Sequence, residues 1–372
     1  MPRAVVVGAG VVGSFHAYFA LRRGYEVVHV ERELTARGAS VRNFGLVWVS
    51  GRRVGEELEF ALRSRALWEE VADDVPGFGF RANGSLTVAR DDAEARVLEE
   101  VATRGDAGER GVSLLDASEA RDVNPAVRGD LVAALHCAND AAVEPRLVPD
   151  ALRAALTREP GYRFLPGRHV VEVGDAFAAD HTGERHEGDL VLVCPGAATS
   201  GFAGWRPADA PLRRVRLQML ETEPFGARVT TSLADGDSLR YYPAFDVPAL
   251  ADLPPPAPVV AERKMQLLLQ QRLDGRLTIG DTHDYDEPFP VDVDDEPYRH
   301  LLGRAEAILG TPLPPVRRRW AGVYSQSITD GLFHCEQVGT ASFVVTGAGG
   351  RGMTLAPAIA ERVVESTGAF TK

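Results

Sequence analysis

The sequence predicts an α/β protein: a helix-covered parallel sheet interrupted by a second, antiparallel-rich sheet with helices. Three stretches predict it. Ala4 to Glu31 reads as strand, glycine turn, helix and strand; Asp189 to Cys194 is a continuous apolar strand followed by Pro195-Gly196-Ala197; Ser342 to Thr346 is a strand leading into a glycine cluster and a helix. Continuous apolar runs bounded by glycine turns suit strands buried on both faces. Between these stretches the pattern alternates, as in half-exposed strands.

The first stretch is a βαβ unit. Ala4 to Val7 is apolar, Gly8, Gly10 and Gly13 fall in GxGxxG register, and a helical run ends at Gly24. A second apolar run, Val27 to Val30, ends on Glu31, 18 residues after Gly13. The first glycine allows the tight turn, the second lets the backbone approach a pyrophosphate, and the third lets helix pack on strand. The helix N-terminus offers free N–H groups to phosphate, and an acid at this distance accepts hydrogen bonds from a ribose diol. The unit is Rossmann-like and predicts a dinucleotide site.

A chain of 372 residues suits two domains, and 45% hydrophobic with 25% charged residues is ordinary for an ordered globular protein. The net charge of −12 argues against nucleic-acid or anionic-membrane partners, though an arginine cluster still permits an anionic substrate. Cys137, Cys194 and Cys335 form no CxxC pair, which fits a reducing compartment. The first strand begins at Ala4 and no apolar run approaches 18 residues, so the expectation is a cytoplasmic protein without signal peptide or membrane span.

In chain order, RELTARGASVRNFGLVWVSG after Glu31 reads as a loop. Ser40, Arg42, Asn43 and Gly45 are expected to run from the ribose site towards the reactive end of a cofactor. Glu56 to Val71 has helical periodicity. Phe78 to Arg90 reads as strands with a hairpin signal at Asn83-Gly84. Helices are expected at Asp92 to Arg104, Ser113 to Asn124 and Val143 to Leu156, with a strand at Leu131 to Cys137 between them. Tyr162 to Val173 holds a strand. Further strands are expected at Arg213 to Thr222, Ser238 to Tyr242, Lys264 to Gln270 and Arg276 to Gly280, then a helix at Pro297 to Leu309. After Thr346, Gly347, Gly349, Gly350 and Gly352 open a helix over Met353 to Val364, a second loop able to aim backbone N–H groups at negative charge.

These pieces resemble the FAD-dependent D-amino-acid oxidase superfamily, which includes glycine and sarcosine oxidases. The resemblance rests on VVGAGVVGSFHAYFALRRGYEVVHVER, DLVLVCPGA, RRRWAGVYS and GAGGRGMTLAPAIAE and covers most of the chain. ASVRNFGLVW, RLQMLET, LRYYPAF and GDTHDY are similar to a branch associated with aminophosphonate catabolism. The resemblance implies a D-amino-acid oxidase-like arrangement. Residues 1–75, 147–212 and 318–372 would form the FAD-binding domain, and 76–146 and 213–317 an α+β substrate domain. It also implies non-covalent FAD, since WAGVYS lacks the cysteine to which sarcosine oxidases attach flavin; SVRNFG, standing where they carry an HxxGxxR-like pattern, speaks against sarcosine as the substrate. The residues expected at the cofactor are Gly8, Gly10, Val11, Val12, Gly13, Glu31, Arg32, Ser40, Arg42, Asn43, Val171, Pro195, Gly196, and Gly349, Gly350, Arg351, Gly352, Met353 and Thr354. Val171 would contact adenine through its backbone.

Hydride removal from a carbon beside nitrogen is chemistry the flavin carries, so the protein must position the substrate and clamp its acid group. Arginine suits a carboxylate or phosphonate, and Arg42, Arg240 and Arg351 are the clamp candidates. Asn43, Trp48, Tyr242, His283 and Tyr324 complete the expected pocket, while His16 on the first helix reads as packing near the cofactor. The clusters Asp281/His283/Asp284/Asp286 and Asp292/Asp294/Asp295 lack zinc or calcium-loop spacing, so no metal is expected. The implied activity is FAD-dependent oxidation of a small anionic amine, an aminophosphonate or N-methyl aminophosphonate. The imine would hydrolyse to aldehyde plus amine, and the flavin would be reoxidised by oxygen or a carrier. A D-amino-acid, glycine or glyphosate-type oxidase or dehydrogenase is the near alternative, and a non-catalytic FAD-binding or tRNA-modifying protein the distant one. The sequence leaves the oligomeric state open.

Overall fold

The protein, as a computed structural model that describes residues 1–198 and 200–368, is built on two large sheets. The first has six strands in the order His334–Gln337, Ser342–Thr346, Leu190–Val193, Arg3–Val7, Glu26–Glu31 and Tyr162–Pro166. All neighbours are parallel except the first pair. Thus the three glycine-turn strands, far apart in sequence, lie side by side at its centre. They are buried on both faces, as their unbroken apolar character requires. Helix Val11–Arg22 covers one face and packs on Gly352–Gly368, which packs in turn on Glu56–Asp74. Phe15 meets Trp68 edge-on at 4.8 Å between ring centroids in that core.

The second sheet has eight strands: Val316–Ser327, Leu212–Pro224, Arg276–Gly280, Leu268–Gln271, Ser232–Ala234, Ser85–Ala89, Ala133–Cys137 and Val112–Asp116. It is antiparallel apart from the pair Ser232–Ala234 and Ser85–Ala89. Its long hairpin-like partners, Leu212–Pro224 and Val316–Ser327, aim Leu217, Met219 and Tyr324 at the space between the sheets. Val316–Ser327 runs through residues 318–327, placed by sequence in the cofactor-binding stretch, and residues 369–372 of that stretch lie outside the described residues. No helix among the described residues is long and apolar enough to cross a membrane.

Several local expectations need correction. The hairpin at Asn83-Gly84 does not form; Gly84, at φ +63°, instead leads into Ser85–Ala89, which pairs with Ala133–Cys137. Ser113 to Asn124 splits into strand Val112–Asp116 and helix Ala117–Val123. Asp116 caps that helix, accepting from the Ser118 and Glu119 N–H groups, while Glu119 reaches back to the Asp116 N–H. The Asp116/Glu119 spacing is a capping box and marks the boundary. Ser238 to Tyr242 is not a strand: Asp235 caps a 3-10 turn over Gly236–Arg240. The loop after Glu31 contains a 3-10 turn, Ala39–Val41, and a short strand, Leu46–Val47.

The turn Val49 to Arg52 between the sheets is braced from both sides. Arg110, fully buried, donates to the carbonyls of Val49, Ser50 and Arg52 at 3.2, 3.1 and 2.7 Å. Asp140, also fully buried, accepts the Ser50 N–H at 3.0 Å and the Ser85 hydroxyl at 2.6 Å. Asp106 holds Arg110 in turn. Hydrogen bonds from Arg104, and then Arg110, pull the Asp106 carboxyl down to about 2 from 3.8. A depressed carboxyl stabilises the fold above its unfolded pKa and loses that contribution as pH falls through the folded one. Asp106→Asn is therefore expected to cost about 1–2 kcal/mol at pH 7 after solvent screening, a deficit that closes between pH 4 and pH 2. Urea midpoints of both proteins across that range check it.

Candidate active site

A cavity of ≈ 860 Å³ runs between the two sheets, from Arg168 and Val170 past the first glycine turn to Tyr241, Tyr285 and Asp281. Its volume and mixed lining are in the range of small-molecule and cofactor sites.

The first turn permits close approach of a ligand to backbone. Gly8 sits at φ +97°, and a Cβ there would lie 2.4 Å from the Cys194 carbonyl oxygen. A Cβ on Gly13 would lie 1.8 Å from the Gly8 carbonyl oxygen, so only glycine lets the helix seat on the strand. Val11, Val12 and the three glycines line the cavity, and the Ser40 hydroxyl accepts the Val11 N–H at 2.9 Å. At the end of the second strand, Glu31 accepts the Ala9 N–H at 2.6 Å and the Glu33 N–H at 2.9 Å. Two backbone donors thus fix its carboxylate in the cavity wall, where it retains acceptor capacity for a diol. Arg32, Pro195 and Gly196 line the same end. This arrangement fits a dinucleotide diphosphate. Glu31→Gln is expected to weaken flavin retention about 10- to 100-fold, measured as flavin released on dilution.

Val171 is a correction. It is 42% exposed, its carbonyl accepts the Ala203 N–H, and Val170 lines the cavity instead. The expected contact was through its backbone, and that carbonyl is already engaged by Ala203.

The C-terminal loop closes over the middle of the cavity. Gly347 and Gly349 take φ +74° and +64°, and the turn Gly349–Arg351 leads directly into Gly352–Gly368. Gly349, Gly350, Arg351, Gly352, Met353 and Thr354 all line the cavity. The Thr354 hydroxyl accepts the Trp48 N–H at 2.9 Å, which ties this loop to the strand beneath it. A Cβ on Gly350 would lie 3.4 Å from the Tyr324 hydroxyl and 3.8 Å from that of Tyr241, so two phenols converge on the loop.

Beyond it lies a chamber lined by Trp48, Arg52, Tyr242, Gln266, Asp281 and His283. Burial raises the pKa of Tyr241, Tyr242 and Tyr324, which keeps them neutral hydrogen-bond donors. Of the expected clamps, Arg351 lines the chamber and lies 3.3 Å from Glu57. Arg42 is exposed at the cavity wall, donating to the Ala321 carbonyl at 3.1 Å. Arg240 is a correction: it is exposed outside the cavity and donates to the Pro254 carbonyl, because its segment turns as a 3-10 helix rather than running as a strand. Asn43 lines the cavity, but its amide serves its own loop, donating to Ala39 and Ser40 carbonyls and accepting the Gly45 N–H. His16 lies in the core beneath the turn, donating from Nδ1 to the Val12 carbonyl at 2.8 Å; burial lowers its pKa to about 4.

Arg52, Glu57, Tyr241, Gln266 and Asp281 were not singled out for this pocket by sequence. Arg52 is 5% exposed, donates from Nε to the Trp48 carbonyl at 2.8 Å, and lies 3.7 Å from Glu57. Glu57 therefore faces two guanidinium groups and neutralises one. In sequence Arg52 is half of an Arg-Arg pair in a polar loop, indistinguishable from a solvated charge.

The two acidic clusters break up as some of their acids enter ion pairs: Asp284 pairs with Arg216 at 2.8 Å, and Asp294 with Arg263. Among the described residues the candidate metal-ligand group is Asp180, Glu184 and His186, and Arg168 already reaches both acids.

A family model described as DAO, FAD dependent oxidoreductase, matches residues 3–366. The fold is similar to glycine oxidase from Bacillus cereus, with TM-score 0.79 and 17% identity over 99% of this chain and 95% of that one. It is similar to iminodiacetate oxidase from a Chelativorans species, with TM-score 0.74 and 20% identity over 99% and 95%. In sequence, one of the subunits of an opine oxidase from Agrobacterium tumefaciens is 26% identical over 245 residues, 59% of this chain and 62% of that protein. The match thus spans about three fifths of that relative's length. Glycine turn, fixed acid, C-terminal loop and family match agree: the chain belongs to the DAO family of FAD-dependent oxidoreductases.

Proposed function

We propose that this protein oxidises a small anionic amine at the carbon beside nitrogen, with an aminophosphonate or N-methyl aminophosphonate as substrate. The imine would hydrolyse to an aldehyde and an amine, and oxygen or an electron carrier would take the electrons. The observation that carries this reading is the pair Arg52 and Arg351 sharing one carboxylate, Glu57, in the chamber wall. Two cations against this one anion leave a net positive charge on that wall of the chamber, which a substrate anion completes. When bound, FAD accepts hydride from the substrate carbon. The protein's own work is to hold the acid group at Arg52 and Arg351, to exclude water with Trp48 and Tyr242, and to offer the hydroxyls of Tyr241 and Tyr324. Gly8 to Gly13 and Glu31 would hold the diphosphate and ribose, and the loop from Gly349 to Thr354 the flavin ring. The six-stranded sheet would thus serve the cofactor and the eight-stranded sheet the substrate.

A second reading has a specific support. The similar proteins named for glycine, iminodiacetate and opines act on amines bearing carboxylates, which an arginine pair holds equally well. A panel of aminophosphonates, glyphosate, glycine, D-amino acids and iminodiacetate separates the two. Each compound is scored by anaerobic bleaching of the flavin band and by peroxide release in air. Bleaching by a phosphonate above all others supports the first reading; preference for a carboxylate moves it to the second. Flavin that none of them reduces counts against both.

A further inference from the structure

Besides the arginine pair, the chamber contains a carboxyl with no fixed cation. Asp281 is 4% exposed and lines the cavity. Its Oδ1 accepts an N–H from Gln266 Nε2 at 3.1 Å. Among the described residues no arginine or lysine lies within ion-pair distance; the sole such neighbour is His283, with Nε2 4.0 Å from Asp281 Oδ2. His283 is itself 3% exposed and lies 2.9 Å from the Lys264 carbonyl through Nδ1. A carbonyl only accepts, so Nδ1 carries the hydrogen, and in its neutral form the ring leaves Nε2 bare. The ring stacks on Tyr241 at 4.4 Å, which holds its plane. The other groups facing the carboxyl are the phenols of Tyr241, Tyr242, Tyr285 and Tyr324, none of them a cation. Burial accordingly raises the carboxyl's pKa, opposed chiefly by His283.

Two acceptors 4.0 Å apart do not bond to each other. They do match one donor between them: hydrogen bonds of about 2.8 Å leaving a single nitrogen at about 90–110° bring their acceptors to about 4.0–4.6 Å. A buried carboxylate without a counter-ion is costly, and a substrate ammonium supplies the missing charge.

We propose that Asp281 Oδ2 and His283 Nε2 form the subsite for the substrate's amine nitrogen, Asp281 holding the ammonium and His283 taking the proton that must leave before oxidation. This rests on the amine reading above. In the step, an ammonium N–H bond breaks and its electron pair stays on nitrogen. The Nε2 lone pair forms the new N–H bond, and the imidazolium is stabilised by the Asp281 carboxylate. The pair freed on nitrogen forms the C=N bond of the imine as the neighbouring C–H bond breaks and its electron pair leaves with the hydrogen as hydride, for which FAD, when bound, would be the acceptor.

The test uses FAD-loaded enzyme and three amines, each with an isostere in which CH2 replaces the nitrogen. They are N-methylaminomethylphosphonate with propylphosphonate, sarcosine with butyrate, and iminodiacetate with glutarate. Isostere binding is read from perturbation of the visible flavin bands, and amine binding from the concentration dependence of anaerobic bleaching. The wild type is expected to bind its reducing amine at least about tenfold more tightly than the isostere. Asp281→Asn removes that ratio and leaves the isostere Kd within about twofold. Its melting temperature holds or rises, since a buried charge is gone. His283→Gln slows the limiting bleaching rate at least about tenfold at pH 7 and recovers as rising pH delivers neutral amine. If Asp281→Asn loses flavin, Asp281→Glu, which keeps the charge but displaces it, carries the same comparison. Equal loss of amine and isostere binding overturns the assignment. So does a His283→Gln deficit that pH does not relieve, or a wild type that binds amine and isostere alike. Failure of the amine reading itself shows differently, as wild-type flavin that no amine bleaches.

Discussion

Arg52→Met is expected to lower kcat/KM for the reducing amine about 100-fold, mostly through weaker binding. Charge-assisted hydrogen bonds to an anion in a buried site contribute about 1.5–3 kcal/mol, and arginine places two of them in one plane. The fold should survive, because Arg351 still lies 3.3 Å from Glu57 and keeps that carboxylate compensated. Arg52→Lys should recover only part of the loss, since a single ammonium lacks the fork. Arg240→Ala, outside the cavity, is the control and should leave kinetics unchanged. The concentration dependence of anaerobic bleaching gives the binding term separately from the limiting rate. An Arg52→Met enzyme with wild-type affinity would show that the anion is held elsewhere.

Gly13→Ala is expected to yield protein without flavin. The added carbon would lie 1.8 Å from the Gly8 carbonyl oxygen, a backbone atom that cannot step aside alone. Helix Val11–Arg22 would have to lift from the strand, spoiling both the core contact of Phe15 with Trp68 and the aim of the first-turn N–H groups. Gly105→Ala is the matched control, because a Cβ there meets nothing within 4 Å, its φ is not positive and the residue lies outside the cavity lining. The ratio of the visible flavin band to protein absorbance in the purified variants decides it. Full flavin content in Gly13→Ala would mean that the diphosphate does not rest on this turn.

The contrast between these two residues shows where sequence reading reaches and where it stops. Gly13 announces itself by spacing, because the βαβ turn is made by residues a few positions apart and its geometry is local. The same holds for Ser342–Thr346 with its glycines, and for the apolar strand Leu190–Val193. Arg52 announces nothing. Its burial follows from Arg110 and Asp140, which grip its turn from 58 and 90 residues away through the Arg52 carbonyl and the Ser50 N–H. Asp281 was legible only as part of an acidic cluster, until Arg216 and Arg263 drew Asp284 and Asp294 into ion pairs and left it alone in the chamber. The strand expected at Ser238 to Tyr242 fails for a related reason. Alternation marks which residues share a face, while register and curvature come from the partner strand and from the Asp235 cap.

By itself, then, the amino-acid order determined the two glycine loops, the strands that precede them, the acid at position 31 and hence the family's cofactor chemistry, all consequences of short-range backbone sterics and hydrophobic runs. Tertiary structure alone decided that Arg52, Glu57 and Asp281 join Arg351 and His283 in the cavity wall. Those side chains come from separate segments, and long-range packing and ion pairing determine which of them remain unpartnered inside the cavity.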